Sequence, residues 1–168
     1  MESASLYDGM RDSHVDIHKI RAIALDLDHT LCPGDFTTGR KNKFRADLLQ
    51  QIQTVFSVTP VYIVTRNKAP NEEIDEQCRT ALGRTPTGFD RLRKVMQVED
   101  STSKKDKLLD IWKNEGERGY VLFIDDTLEE LRRSKLTVFQ DTSQTEPYNP
   151  IKCIYFDTRQ FNNPQNHF

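Results

Sequence analysis

Ala22-Ile23-Ala24-Leu25-Asp26-Leu27-Asp28-His29-Thr30-Leu31 is an apolar run that ends abruptly in two carboxylates and a hydroxyl. Ala22 to Leu27 is too short and too evenly apolar for a surface helix. An unalternated run of this length is what a strand covered on both faces of a parallel sheet requires. Asp26 then lies at the strand's carboxyl end. Side chains two apart on a strand point the same way, so Asp26 and Asp28 can both face the crevice above the sheet edge, where open α/β sheets bind ligands. Two buried anions side by side are costly unless a cation sits between them, which is the first indication of a metal. A calcium loop is excluded. Starting at Asp26 it would need Gly and Glu where Leu31 and Thr37 stand, and starting at Asp28 it meets Pro33 and Gly39.

Outward from this stretch, two further apolar runs end in the same way. Val61-Tyr62-Ile63-Val64-Thr65-Arg66 closes on a hydroxyl and a cation, and Tyr120-Val121-Leu122-Phe123-Ile124-Asp125-Asp126 on two acids. Between them lie helical patterns. Phe44, Leu48, Leu49, Ile52, Val55 and Phe56 give an amphipathic helix from Asn42 to Phe56. Pro70, with Glu72, Glu73 and Asp75 behind it, opens a helix that stops at Gly83. Arg91 to Glu99 reads as an edge strand. Ser101-Thr102-Ser103 offers caps to a helix from Lys104 to Trp112, whose basic start opposes the helix dipole in a way that a bound anion would repair. Leu128 to Arg133 reads as a short helix, and Leu136 to Gln140 and Ile151 to Phe156 as strands. Strands alternating with helices predict an α/β fold, a Rossmann-like three-layer sandwich with a central, mainly parallel sheet. The domain spans residues 20–157, between a polar lead-in over 1–19 and an Asn/Gln-rich tail or linker over 158–168.

At 168 residues the chain fits one domain with a sizeable core. Net charge is −2 with no long single-sign block, so nucleic acid and anionic membrane surfaces are not expected partners. The three cysteines, Cys32, Cys78 and Cys153, form neither a disulfide framework nor a Cys-x-x-Cys pair, which suggests a reducing, cytosolic compartment. No apolar signal core or membrane-spanning run is present, so we expect a soluble monomer without a classical signal peptide. His14 and His18 stand at i, i+4 but have no third ligand nearby and read as a solvated face. Cys153 to Arg159 has the Cys-x5-Arg spacing of cysteine-dependent phosphatases, yet bulky β-formers occupy what would have to be a Gly-rich loop. Cys32, beside the carboxylates, reads as an oxidation-sensitive bystander.

Taken together, Asp26-Leu27-Asp28-His29-Thr30, then Thr65, then a lysine near 105, then Asp125-Asp126 supply the parts for phosphoryl transfer: nucleophile, metal ligands, acid/base and charge neutralisation. In this order, over residues 21–126, the chain resembles haloacid dehalogenase (HAD) superfamily phosphatases. The resemblance implies a Mg2+-dependent phosphomonoesterase in which Asp26 attacks phosphorus and becomes an aspartyl phosphate. Asp28 would protonate the leaving oxygen and then activate water, its backbone carbonyl also binding Mg2+. Asp26 and Asp125 would ligate the metal, with Asp126 beside them and Thr30 supporting, and Thr65 and a lysine would bind the phosphoryl group. Family helices carry that lysine three or four residues before the first buried apolar pair. With Leu108 and Leu109 as the pair this selects Lys105; Lys104 or Lys107 could serve instead. Relatives with small substrates insert a cap domain, for which neither Thr30 to Val61 nor Arg66 to Lys104 leaves room. An open crevice suits a macromolecular phosphoester, so the chain resembles the capless magnesium-dependent protein phosphatases, some tyrosine-directed. A phosphorylated protein or peptide is the expected substrate, with Phe36, Thr37 and Arg40 placed to contact the group carrying the phosphate. Relatives of that kind include effectors that bacterial pathogens deliver into host cells, which no residue here decides. A small-molecule phosphatase and a non-catalytic binding module of the same fold are the alternatives.

Overall fold

The computed structural model describes residues 2–3, 16–127, 129–131 and 148–156. Three strands come from the apolar runs ending in polar residues: β2 (Ile20–Leu25), β3 (Val61–Thr65) and β5 (Tyr120–Asp125). All of β3 and all but one residue of β2 and of β5 are buried, as a strand covered on both faces demands. With β4 (Leu92–Gln97) and β6 (Ile151–Phe156) they form a five-stranded parallel sheet in the order β6-β5-β2-β3-β4. A two-residue strand, β1 (Glu2–Ser3), pairs parallel with the outer edge of β6, so the expected polar lead-in contributes one short pairing to the sheet. β4 is the edge strand that its broken period predicts.

Helices cover both faces. α1 (Ala46–Val55) and α2 (Asn71–Leu82) press Leu48, Ile52, Ile74 and Cys78 against Ile23, Leu25, Ile63 and Ile124. On the opposite face α3 (Lys105–Asn114) buries Leu108, Ile111 and Trp112 against Ala22, Ala24, Val64 and Phe123. The three-layer sandwich is therefore present. α1 begins at Ala46 rather than near Asn42. The Asn42 side chain accepts the Thr37 amide (2.8 Å) and donates to Gln77 (3.1 Å), holding this stretch as a loop. Phe44 accordingly reaches the core from outside the helix. Gly119, with φ +65°, lies where any Cβ would come within 2.4 Å of the Lys19 carbonyl oxygen, so the approach to β5 demands glycine. Residues 129–131 are helical, whereas the expected strand at 136–140, His14 and the tail lie outside the described residues.

From β2 the chain moves one way to β3 and β4, then returns across β2 to β5 and β6. The order reverses between β2 and β5, and at such a switch point the carboxyl ends of an open α/β sheet leave a crevice. Asp26 and Asp125 stand on its two lips.

Candidate active site

Asp26 follows β2 directly, its amide donating to the Ile124 carbonyl of β5 at 3.0 Å. Beyond it the chain makes a single wide turn over residues 27–31. The Leu31 amide reaches back to the Asp26 carbonyl (3.3 Å) and that of Cys32 to Leu27 (2.9 Å), each spanning five residues. The width comes from Asp28, which stays extended, and His29, which adopts a left-handed φ of 60°. The turn returns Thr30 beneath Asp26, and the Thr30 hydroxyl donates to Asp26 Oδ2 at 2.9 Å and lies 3.4 Å from Asp126 Oδ1.

The cation opposite is Lys104. Its Nζ lies 2.8 Å from Asp26 Oδ1 and 2.9 Å from Asp125 Oδ2, and the side chain is only 3% exposed. This corrects the sequence expectation of Lys105, which is half-buried and reaches neither carboxylate. The helical stripe turned to the sheet is Leu108, Ile111 and Trp112, and one turn before Leu108 that stripe reaches position 104. Counting back from the stripe, rather than from the adjacent pair Leu108-Leu109, would have found it.

Asp26, Asp125 and Asp126 each bring a carboxylate oxygen into a cluster spanning no more than 4.8 Å. Burial raises the Asp26 pKa to about 7, Lys104 opposing and Asp126 adding to the shift. Burial, and then the nearby Asp26, raise Asp125 to about 6 against the pull of Lys104 and the Thr127 amide. Burial alone would lower Lys104, but the two carboxylates outweigh it and its pKa is raised. One ammonium thus bridges two of three clustered carboxylates, and a second cation with a preference for oxygen ligands fits this donor set.

Asp28 is turned away from the cluster. Its Oδ1 accepts the Phe36 amide at 2.7 Å, and Asn67 Nδ2 donates to both of its oxygens (3.1 and 3.2 Å) and to the Phe36 carbonyl (3.0 Å). Asn67 is fixed in turn by the Ala69 amide at its Oδ1 (2.8 Å). Sequence reading missed Asn67. Its position two residues beyond Thr65, at the end of a strand beside β2, was the available signal. Thr65 is fully buried and its hydroxyl accepts the Asn67 amide at 3.0 Å, leaving the hydroxyl proton to donate. Phe36, expected to face substrate, is 4% exposed and packs into the core, so the loop meets Asp28 through its backbone. Thr37 and Arg40 are exposed.

Two arginines flank the site, Arg66, the cation that closes the second apolar run, and Arg45, which escaped the sequence reading. Arg66 pairs with Glu130 and donates to the carbonyls of Glu99 and Thr102, clasping the loop that delivers Lys104 to the end of β3. Arg45, fully buried just before α1, has its pKa lowered by burial, with Asp47 and Asp126 acting against the shift. Cys32 is buried too. Burial, Asp28 and Asp26 push its thiol up to about 12, so the expected oxidation sensitivity has no thiolate behind it. Cys153 lies within β6 rather than in a phosphate-wrapping loop.

No family model, curated protein or solved structure matches the chain. No helix among the described residues is long and apolar enough to cross a membrane.

Proposed function

We propose that this protein is a Mg2+-dependent phosphomonoesterase of the HAD type, acting on phosphorylated proteins or peptides, phosphotyrosine foremost. The observation that carries the reading is Lys104 bridging Asp26 and Asp125 at the sheet's switch point, within a cluster of three carboxylates. Asp26, Asp125 and Asp126 would hold Mg2+, with Asp28 contributing only its backbone carbonyl because its carboxylate is engaged elsewhere. The ion supplies charge neutralisation of the phosphoryl oxygens.

In the first half-reaction an Asp26 carboxylate oxygen attacks phosphorus, the bond to the ester oxygen breaks, and that oxygen takes a proton from Asp28. In the second, the Asp28 carboxylate removes a proton from water as the water oxygen attacks phosphorus. The Asp26–phosphorus bond breaks and phosphate leaves. Lys104 and Thr30, each holding one Asp26 oxygen, keep the nucleophile oriented, and Lys104 offsets negative charge on the transferring group. Asn67 sets the starting position of the acid.

The test is phosphate release from phosphotyrosine, phosphoserine and phosphothreonine peptides and from a sugar-phosphate panel, with and without Mg2+. We expect Mg2+-dependent turnover of peptides. Turnover of sugar phosphates alone would replace the protein substrate by a small one, and no turnover would leave a binding module. In Asp28→Asn both half-reactions lose their proton-transferring group, but an aryl phosphate, whose leaving oxygen needs no acid, still forms the phosphoenzyme, which accumulates for want of the base and is trapped by acid quench of labelled substrate. Asn67→Ala removes one of the two groups that hold the Asp28 carboxylate and lowers kcat by about 10–100-fold with KM nearly unchanged, since its effect falls on the proton-transferring group.

A further inference from the structure

The loop over the carboxylates carries a cleft that the phosphoryl chemistry does not use. It has a volume of about 230 Å³ and is lined by residues 32–35 and 40–43. It adjoins the site directly. The Gly34 carbonyl accepts the His29 amide (3.1 Å), and the Phe36 amide contacts Asp28.

Three cations, Arg40, Lys41 and Lys43, project from this rim, all of them exposed. None has an ion-pair partner among the described residues, in a chain whose net charge is −2. Three of the acidic and amide side chains nearby are otherwise engaged. Asp35 pairs with His29 (3.0 Å), Glu73 accepts the Gly39 amide (2.7 Å), and Gln77 bonds the Asn42 amide (2.9 Å) and the Arg40 carbonyl (2.9 Å). These bonds fix the backbone while leaving the positive charges unneutralised. A second hollow of about 240 Å³ shares Lys41 and Asn42 with the first and continues towards α2, where Phe44, Glu76, Thr80 and Ala81 line it.

We propose that this rim is a subsite for acidic side chains flanking the phosphorylated residue, so that the substrate is an acidic phosphopeptide segment lying across Arg40, Lys41 and Lys43. The proposal rests on the phosphatase reading for its substrate, but not for its test. A free phosphate binds one small site. Three cations spread along a rim match an extended anionic chain instead.

The decisive experiment compares the full chain with a Lys41→Glu/Lys43→Glu variant in two assays. By fluorescence anisotropy, a labelled non-phosphorylated peptide rich in Glu binds the wild type, binds the variant about tenfold or more weakly, and is released by added salt. A neutral peptide of the same length binds neither. In turnover, kcat/KM for acid-flanked phosphopeptides falls by a similar factor in the variant, while p-nitrophenyl phosphate, which cannot reach the rim, is hydrolysed equally by both. Equal binding of the acidic peptide by the two proteins, or tighter binding of an inositol polyphosphate than of any peptide, would overturn the proposal. Failure to hydrolyse p-nitrophenyl phosphate would overturn the phosphatase reading alone, since the binding assay needs no catalysis.

Discussion

Lys104→Met removes measurable phosphatase activity and destabilises the domain, whereas Lys105→Met leaves both close to wild type. The lysine ammonium lies 2.8 and 2.9 Å from the two buried carboxylates, and no other lysine or arginine is ion-paired to either among the described residues. Removing one partner of a buried charge pair costs about 3–5 kcal/mol, because the remaining charges lose compensation they cannot recover from water. For a domain of this size that corresponds to a fall in Tm of roughly 10 °C. The penalty depends on pH. At pH 8 the variant must either bury two bare anions or hold protons against the solution, while at pH 5 both carboxyls protonate readily and the loss shrinks. Activity is affected more severely, since a group that stabilises the transferring phosphoryl charge is worth about 10²–10³ in kcat. Thermal melts of both variants at the two pH values, beside phosphate release, check the assignment. A Lys105 variant as damaged as the Lys104 variant would undo it.

The second large effect is that of Asp26→Asn, which abolishes turnover yet stabilises the metal-free protein at alkaline pH. An amide nitrogen does not replace the carboxylate as nucleophile, hence the first part. The second follows from the raised pKa of Asp26, about 7 in the folded state against 3.8 for a free side chain. Between these values the folded protein holds a proton that the unfolded chain has released, so wild-type stability falls as pH climbs through this window and is lowest above it. The carboxamide of the variant does not titrate and carries no such dependence. Wild type and variant should therefore be similar near pH 4 and differ by a few kcal/mol in the variant's favour at pH 8, measured by urea unfolding in EDTA. Adding Mg2+ should recover the wild type selectively, because a ligand that binds only the folded state stabilises it. A variant less stable than wild type at pH 8 in EDTA would contradict the buried-anion account.

Much of this was legible in the residues, for reasons that are local. β2, β3 and β5 announce themselves because a strand buried on both faces has no room for polar alternation, and Asp26, Thr65 and Asp125 end those strands or follow them directly. What stayed hidden depends on tertiary contact. Phe36 sits in a loop of Pro, Gly, Asp and Thr, and nothing in that neighbourhood tells a buried ring from an exposed one. Phe44 opens the helical apolar spacing on paper, yet the bonds of Asn42 to Thr37 and Gln77 belong to a loop closed against a helix 35 residues away. The lysine missed by one position is a matter of phase: a helix turns 100° per residue, so the error replaces a buried cation with one at the flank. Asn67 and Arg66 could be placed only once the ends of β3 and β2 were known to be neighbours.

The strand that leads to Asp26 lies in the middle of the sheet, bonded to β3 on one side and β5 on the other. Its amides can meet solvent only when the sheet itself comes apart, whereas the rim from residue 39 to 42 is held to α2 by a few side-chain bonds. Under native-state hydrogen exchange the first should be released at the global unfolding free energy and the second far below it. Chemistry and recognition would then reside on opposite ends of the molecule's own stability scale, so that the rim can be remodelled for new substrates by mutations the catalytic strand never registers.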